Sequence, residues 1–390
     1  MKKINPFIRL FFVFFLLLFI THTNFAAYLS NVPQTLAQPD GTILNCFVTG
    51  DEFHHWLHDE EGFTITINDQ TGFFVYANII DGKFVATNLI PGIDSPEANG
   101  LIPGFQPDPE IIKAKTREYR ESLINQPRGS GCPNNGNVAN LVIFIRFSDQ
   151  DEFEEPLGNF EELYNGLGDN KTLQNYYHTM SNGQLDIESH FFPNSGPYIN
   201  SYQDIYPRDY YCQYHEVSNP DGYQDDVESR NREHELLERA VESVDAQITY
   251  SGLDIDSNGD LLVDNIDFII QGPPDWGGSI LWPHHWCLYT DWAFIGNWFD
   301  MRMVWDYSIQ LSGYIDPGVM CHEMFHSIGA PDLYHDGKGS WSNLEPVASW
   351  GLMESQTDYP QHTGAYMKFK YGKWFDVLPE ITQSGTYTLQ

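Results

Sequence analysis

The sequence predicts a mixed α/β (α+β) protein of two units, a small β-rich leading unit and a larger one in which helices and strands alternate. Three observations carry this. Residues from about 28 to 90 form short apolar and β-branched runs cut by glycine turns. The stretch Gln126 to Asn137 (QPRGSGCPNNGN) is dense in residues that break regular structure. Beyond it, an apolar strand at Leu141 to Phe147 is followed by an amphipathic helix and a second apolar strand, Ile266 to Ile270. At 390 residues and 41% hydrophobic content, the chain is long enough to build two compact units.

In chain order, Lys2, Lys3 and Arg9 precede an unbroken apolar run, Leu10 to Ile20, followed by the small residues Ala26 and Ala27. That order predicts a secretory signal peptide over residues 1–27, hence an exported, extracellular protein. The run is shorter than the roughly 20 apolar residues that span a bilayer, so no membrane insertion is expected after cleavage. The leading unit, 28–130, should hold strands at Phe63 to Ile67, Phe73 to Ala77 and Phe84 to Thr87, with turns at Gly62, Gly72 and Asp81-Gly82. A Pro- and Gly-rich stretch, Pro91 to Pro109, leads into a charged helix capped by Asp108 and carrying Lys113, Lys115, Arg117 and Arg120. The second unit, 131–390, includes a helix with Leu237, Ala240, Val241 and Val244 on one stripe.

Charge and cysteines exclude some functions. With 54 acidic against 20 basic residues, the net charge of −34 opposes binding to nucleic acid or to anionic lipid. Five cysteines, Cys46, Cys132, Cys212, Cys287 and Cys321, show no CxxC spacing, so no cysteine metal cluster is expected.

The chemistry concentrates in Asp316 to His335, DPGVMCHEMFHSIGAPDLYH. Asp316 suits a helix N-cap, Pro317 its first position, and Gly329 with Pro331 its end. Four residues apart on such a helix, His322 and His326 stack on one face and can share one metal ion, with Glu323 beside it as general base. A bare HExxH is a weak signal. Here it extends to HExxHxxGxxD: Gly329 permits a sharp turn after which Asp332 returns as third ligand, and downstream SWGLME places Met353 as an apolar floor under the histidines. Glu345, at a spacing like that of thermolysin-like enzymes, and Glu354 are alternative third ligands; Asp332 is favoured.

The run HEMFHSIGAPDLYH, the WGLM turn and SILWPH at Ser279 to His284 resemble the immune inhibitor A family of secreted bacterial metallopeptidases, relatives of the metzincins. Similar precursors begin with a region like Gln38 to Trp56 (QPDGTILNCFVTGDEFHHW). The resemblance implies a metzincin-like catalytic domain with an active-site helix and a mixed sheet. It also implies a β-rich propeptide that inhibits the precursor, zinc-dependent cleavage of protein or peptide substrates, and calcium as a structural ion. The sequence departs from the pattern at Phe325, where such helices often carry a small residue, and at Cys321.

Calcium has a separate basis, because Asp254, Asp256, Asn258, Asp260 and Asp264 alternate around Gly259 as in an EF-hand loop, although Asn265 stands where its glutamate would be. His284 and His285 are neighbours on an expected strand, so they should face opposite ways and line a cleft wall rather than share an ion. Cys46 is a candidate thiolate lock for the precursor. A rival reading is an exported adhesin or binding module with a non-catalytic metal site, which would have no need of Glu323.

Overall fold

The computed structural model describes residues 29–51, 55–80, 83–104, 131–275 (except 167, 169, 170 and 195), 280–288 and 298–333. Towards the end of the chain it describes 347, 350–354, 356–357, 359–378, 382–383 and 385. The expected signal peptide and the charged helix after Asp108 lie outside these residues. The protein is mixed α+β, with one antiparallel and one mixed sheet. No helix among the described residues is long and apolar enough to cross a membrane.

The first sheet is a six-stranded antiparallel meander of β1 (Leu29–Ala37), β2 (Ile43–Gly50), β3 (His55–His58), β4 (Thr64–Ile67), β5 (Phe74–Ile80) and β6 (Lys83–Ala86). Glycines at positive φ, Gly41, Gly62 and Gly72, mark its turns. One end of the meander is closed by Gln38, whose side chain donates to the Phe74 carbonyl (2.9 Å) and accepts from the Phe74 amide (2.8 Å). Its core, Val48, Leu57, Phe63, Ile65 and Tyr76 among others, also contains Trp282 and Val319 from the second half of the chain. Trp282 lies face to face with His55, ring centroids 4.6 Å apart, and Gln34 donates to the Pro274 carbonyl at 3.1 Å.

The second sheet comprises β7 (Gly136–Arg146), β8 (Leu185–Phe192), β10 (Asn265–Ile270), β11 (His284–Cys287) and β14 (Asp306–Leu311), with a short β9 (Tyr202–Gln203) beside the end of β7. The order is β11-β14-β10-β7-β8, parallel except for the antiparallel edge strand β11. A small hairpin, β12 (Trp298–Phe299) and β13 (Arg302–Met303), stands apart from both sheets.

Helices cover both faces, which is why β7 and β10 read as near-continuous apolar runs. On one face lies α3 (Asp226–Thr249), capped by Asp225, whose carboxylate accepts from the Val227 and Glu228 amides; Leu237, Ala240, Val241 and Val244 are buried as the stripe requires. On the other lie α1 (Leu157–Asn165), α2 (Leu173–Met180) and α4 (Pro317–Ser327). Strand alternation sorts the side chains: Phe268, Ile270, Tyr307 and Ile309 face α3, while Asp267, Ile269 and Ser308 face the side of α4.

Candidate metal centre

All 11 residues of α4 are buried, and the helix packs against α2, β11 and β14. Asp316 caps it, its Oδ1 accepting from the Val319 amide at 3.0 Å, and Pro317 occupies the first turn, where no amide is needed. Its far end closes with the Gly329 amide donating to His326 (2.7 Å) and the Ala330 amide to Phe325 (3.0 Å). Gly329 sits at φ +97°, a conformation that costs an L-residue with a side chain about 1–2 kcal/mol, and this turn sends Asp332 back over the helix. Phe325 is accommodated because its ring stacks on Trp374, centroids 6.1 Å apart and planes within 10°.

The turn brings three donor atoms together. His322 Nε2 lies 3.1 Å from His326 Nε2 and 2.9 Å from Asp332 Oδ1, which is 3.5 Å from His326 Nε2. The outer nitrogens are committed elsewhere: His326 Nδ1 donates to the Ala330 carbonyl (2.8 Å) and His322 Nδ1 to the Leu352 carbonyl (3.1 Å). A carbonyl can only accept, so each Nδ1 carries a proton and each ring turns its Nε2 inwards, where His322 Nε2 shares a proton with Asp332 until a metal ion displaces it. Two imidazole nitrogens and a carboxylate converging at these distances can share one cation, a proton or a metal ion. A tetrahedral zinc with bonds of 2.0–2.2 Å has edges of about 3.3–3.6 Å, close to the triangle found. His322, His326 and Asp332 could therefore hold a metal ion, and they form the only such group among the described residues.

Burial and charge act against each other here. Burial works against a charged His322, but the Asp332 carboxylate outweighs it and raises the imidazole to about 9. Burial likewise opposes ionisation of Asp332, yet the two imidazoles hold its carboxyl below the ordinary range. Glu323 is fully buried beside the first ligand, and burial pushes its carboxyl up against the pull of both imidazoles.

On the sheet above, Asp267 accepts a 2.5 Å hydrogen bond from Tyr164 of α1 and is pushed up to about 8 by burial, with the nearby Glu323 adding to the shift. Asp267 is thus protonated in the fold at neutral pH but ionised in the unfolded chain. Stability from this group is fully present below about pH 4 and is lost as pH rises to about 8, at about 1.4 kcal/mol per pH unit. Asp267→Asn keeps the Tyr164 bond and cannot ionise. Its melting temperature should match the parent's at about pH 4 and below and exceed it by a widening margin from there to pH 8; parallel curves would refute the assignment.

The two histidines of β11 do face opposite ways. His284 points towards α3, where Glu233 accepts from its Nε2 at 3.0 Å and the Trp282 carbonyl from its Nδ1 at 2.7 Å. Tyr307 donates to the same Glu233 oxygen. Both nitrogens of His284 meet acceptors, so it is an imidazolium; burial opposes that charge and Glu233 prevails. His285 points towards α4, its ring centroid 5.8 Å from that of His326.

The remaining expected residues fall into place differently. Met353 is buried in the core beside Leu352, and its carbonyl accepts from the Leu333 amide at 2.7 Å, tying the methionine turn to the Asp332 loop. Glu354 is buried but does not join the ligand group, and Glu345 lies outside the described residues. Asp254, Asp256, Asn258, Asp260 and Asp264 are not drawn around one point. Asp256 and Asn258 accept from the Asp260 amide, Asp260 from the Leu262 amide and Asp264 from the Ser257 amide. Cys46 is sealed in the first sheet's core, where burial pushes its thiol up to about 12, and all five cysteines are unbridged. Tyr359 and Tyr366, which follow the methionine turn, are both exposed. Sequence reasoning did not find the Leu352 and Ala330 carbonyls that fix the ligand rings, nor the Tyr164–Asp267 pair, although a lone aspartate inside an apolar strand was a usable signal. No protein family matches this chain, and no characterised protein matches it at a significant level.

Proposed function

We propose that this chain is a secreted zinc endopeptidase made as a precursor, cutting extracellular proteins or peptides with Glu323 as general base. The observation that carries the reading is the convergence of His322 Nε2, His326 Nε2 and Asp332 Oδ1 with Glu323 on the same buried helical turn. Nitrogen and carboxylate donors in a set of three suit a catalytic zinc, which keeps a fourth position open. When bound, the ion supplies Lewis acidity and a more acidic water. Glu323 takes the proton from the attacking water and passes it to the leaving amine. His322 and His326 hold their orientation through the two carbonyls. β11 is the edge strand of the sheet above α4, so an extended substrate can pair along it.

The resemblance of HEMFHSIGAPDLYH and WGLM to the immune inhibitor A family supports a metzincin-like arrangement, as do the glycine turn and the ties from the methionine turn to His322 and Leu333. The first sheet acts as an inhibitory propeptide: its core takes in Val319, three residues before the first ligand, and Trp282, two residues before β11. The loop 254–264 would bind calcium only if its carboxylates left the loop's own amides. A buried carboxylate next to two metal-binding imidazoles has no use in an adhesin, which favours catalysis over mere binding.

The test is metal analysis of the purified chain, together with hydrolysis of a denatured protein before and after tryptic nicking. Lys113, Lys115, Arg117, Arg120 and Arg128 offer cuts between the two sheets. One zinc per chain is expected, with cleavage that appears on nicking, stops with a chelator and returns with added zinc. A nicked chain that cleaves equally well without its metal would end the reading.

A further inference from the structure

His285 is only 2% exposed, and neither of its ring nitrogens has a hydrogen-bond partner among the described residues. A buried polar group left unpaired costs about 1–3 kcal/mol, so a fold that keeps one needs a reason outside its own stability. The position of the ring supplies one. Strand alternation turns it to the α4 face, opposite Ser308 across the ladder, and its centroid lies 5.8 Å from that of the ligand His326. It is not a fourth member of the donor group, whose atoms all lie within 4.8 Å of one another. It therefore stands beside a ligand ring without joining the ligand group.

The ring is also held still. Its neighbour His284 is clamped from behind by Glu233 and the Trp282 carbonyl, and Glu233 is in turn fixed by Tyr307. This buried ion pair pins β11 to α3, so His285 is presented from a rigid strand rather than a loop.

We propose that His285 is a catalytic residue that donates a ring N–H to the carbonyl oxygen of the scissile peptide as that oxygen gains negative charge in the tetrahedral transition state. Glu323 handles the proton of the attacking water; His285 transfers none and only donates its hydrogen bond. This rests on the peptidase reading above, because it needs a carbonyl under attack at the metal position. A preorganised donor of this kind contributes about 10²–10³ in rate and binds the transition state more tightly than the substrate.

The experiment compares parent and His285→Phe in the zinc-loaded full chain, intact and nicked with trypsin. A phosphinic pseudopeptide, whose tetrahedral P–O⁻ copies the developing charge, serves as calorimetric probe. In the nicked chain, His285→Phe should bind it about 10²-fold or more weakly and lose a similar factor in kcat with little change in KM. Zinc content should be unchanged and the melting temperature equal or higher, since an unpaired buried imidazole has been removed. His285→Gln, which restores an N–H, should recover part of the phosphinate affinity. A merely structural histidine would instead lower the melting temperature and leave phosphinate affinity alone, and a metal ligand would lower zinc content; either result overturns the proposal. So does a parent chain that binds the phosphinate in neither form. A parent that binds zinc and phosphinate but cleaves no peptide would sink the peptidase reading while the affinity comparison still judges His285.

Discussion

Replacing Glu323 with alanine should lower peptide-bond hydrolysis by about 10²–10⁴-fold while the chain keeps its zinc. The expected size is that of removing a positioned general base. The retention of metal follows from geometry, because Glu323 is absent from the group of donor atoms that surrounds the ion position. The same substitution removes a buried carboxyl whose ionisation burial opposes, so the melting temperature should not fall. Measuring kcat, zinc content and melting temperature on one preparation separates the roles. Loss of zinc with loss of activity would make Glu323 a ligand, and near-parent activity would exclude it as the base.

Asp332→Asn should weaken zinc binding by about a hundredfold or more and change how binding depends on pH. The amide keeps the shape of the carboxylate but not its charge, which is what raises His322 to about 9. In the parent, an incoming ion must displace the proton that His322 and Asp332 share at 2.9 Å. Affinity should therefore rise with pH up to about 9 and level off above it, and adding zinc near pH 7 should acidify a weakly buffered solution. The asparagine variant should level off at lower pH and release less acid. Equal affinity and equal proton release in the two proteins would hand the third ligand position to another residue.

The site was legible wherever side chains and spacing carry it. Asp316, Pro317 and Gly329 frame α4 by cap, φ restriction and positive φ, and the four-residue spacing of the histidines fixes their shared face. Asp332 follows because the glycine turn has only one short way back to the helix. The Leu352 and Ala330 carbonyls were not legible, since any residue at those positions offers the same oxygen. Glu233 sat in plain view on the stripe of Leu237, Ala240, Val241 and Val244, but an acidic residue there reads as solvated until its partner across the sheet is known. In the first sheet, the glycine turns marked β4 to β6 to within a few residues. β1 and β2 are weaker signals, because polar Gln34 takes a place on the buried face between Val32 and Leu36, and buried Gln38 follows, so the apolar alternation is broken in the sequence. The oxygen-rich loop at Asp254 to Asp264 shows the opposite limit, in that composition suggests a cation cage while local amides compete for the same oxygens.

The face-to-face contact of His55 with Trp282, and the insertion of Val319 among the strands of the meander, mean that the two halves of the molecule own one interior in common. Once the connection between them is cut, an indole and a valine still have to come out into water before the halves part. If the first sheet is the proposed propeptide, a cut chain opens only as fast as that apolar seam parts, and the separated half then turns Trp282 and Val319 out to water.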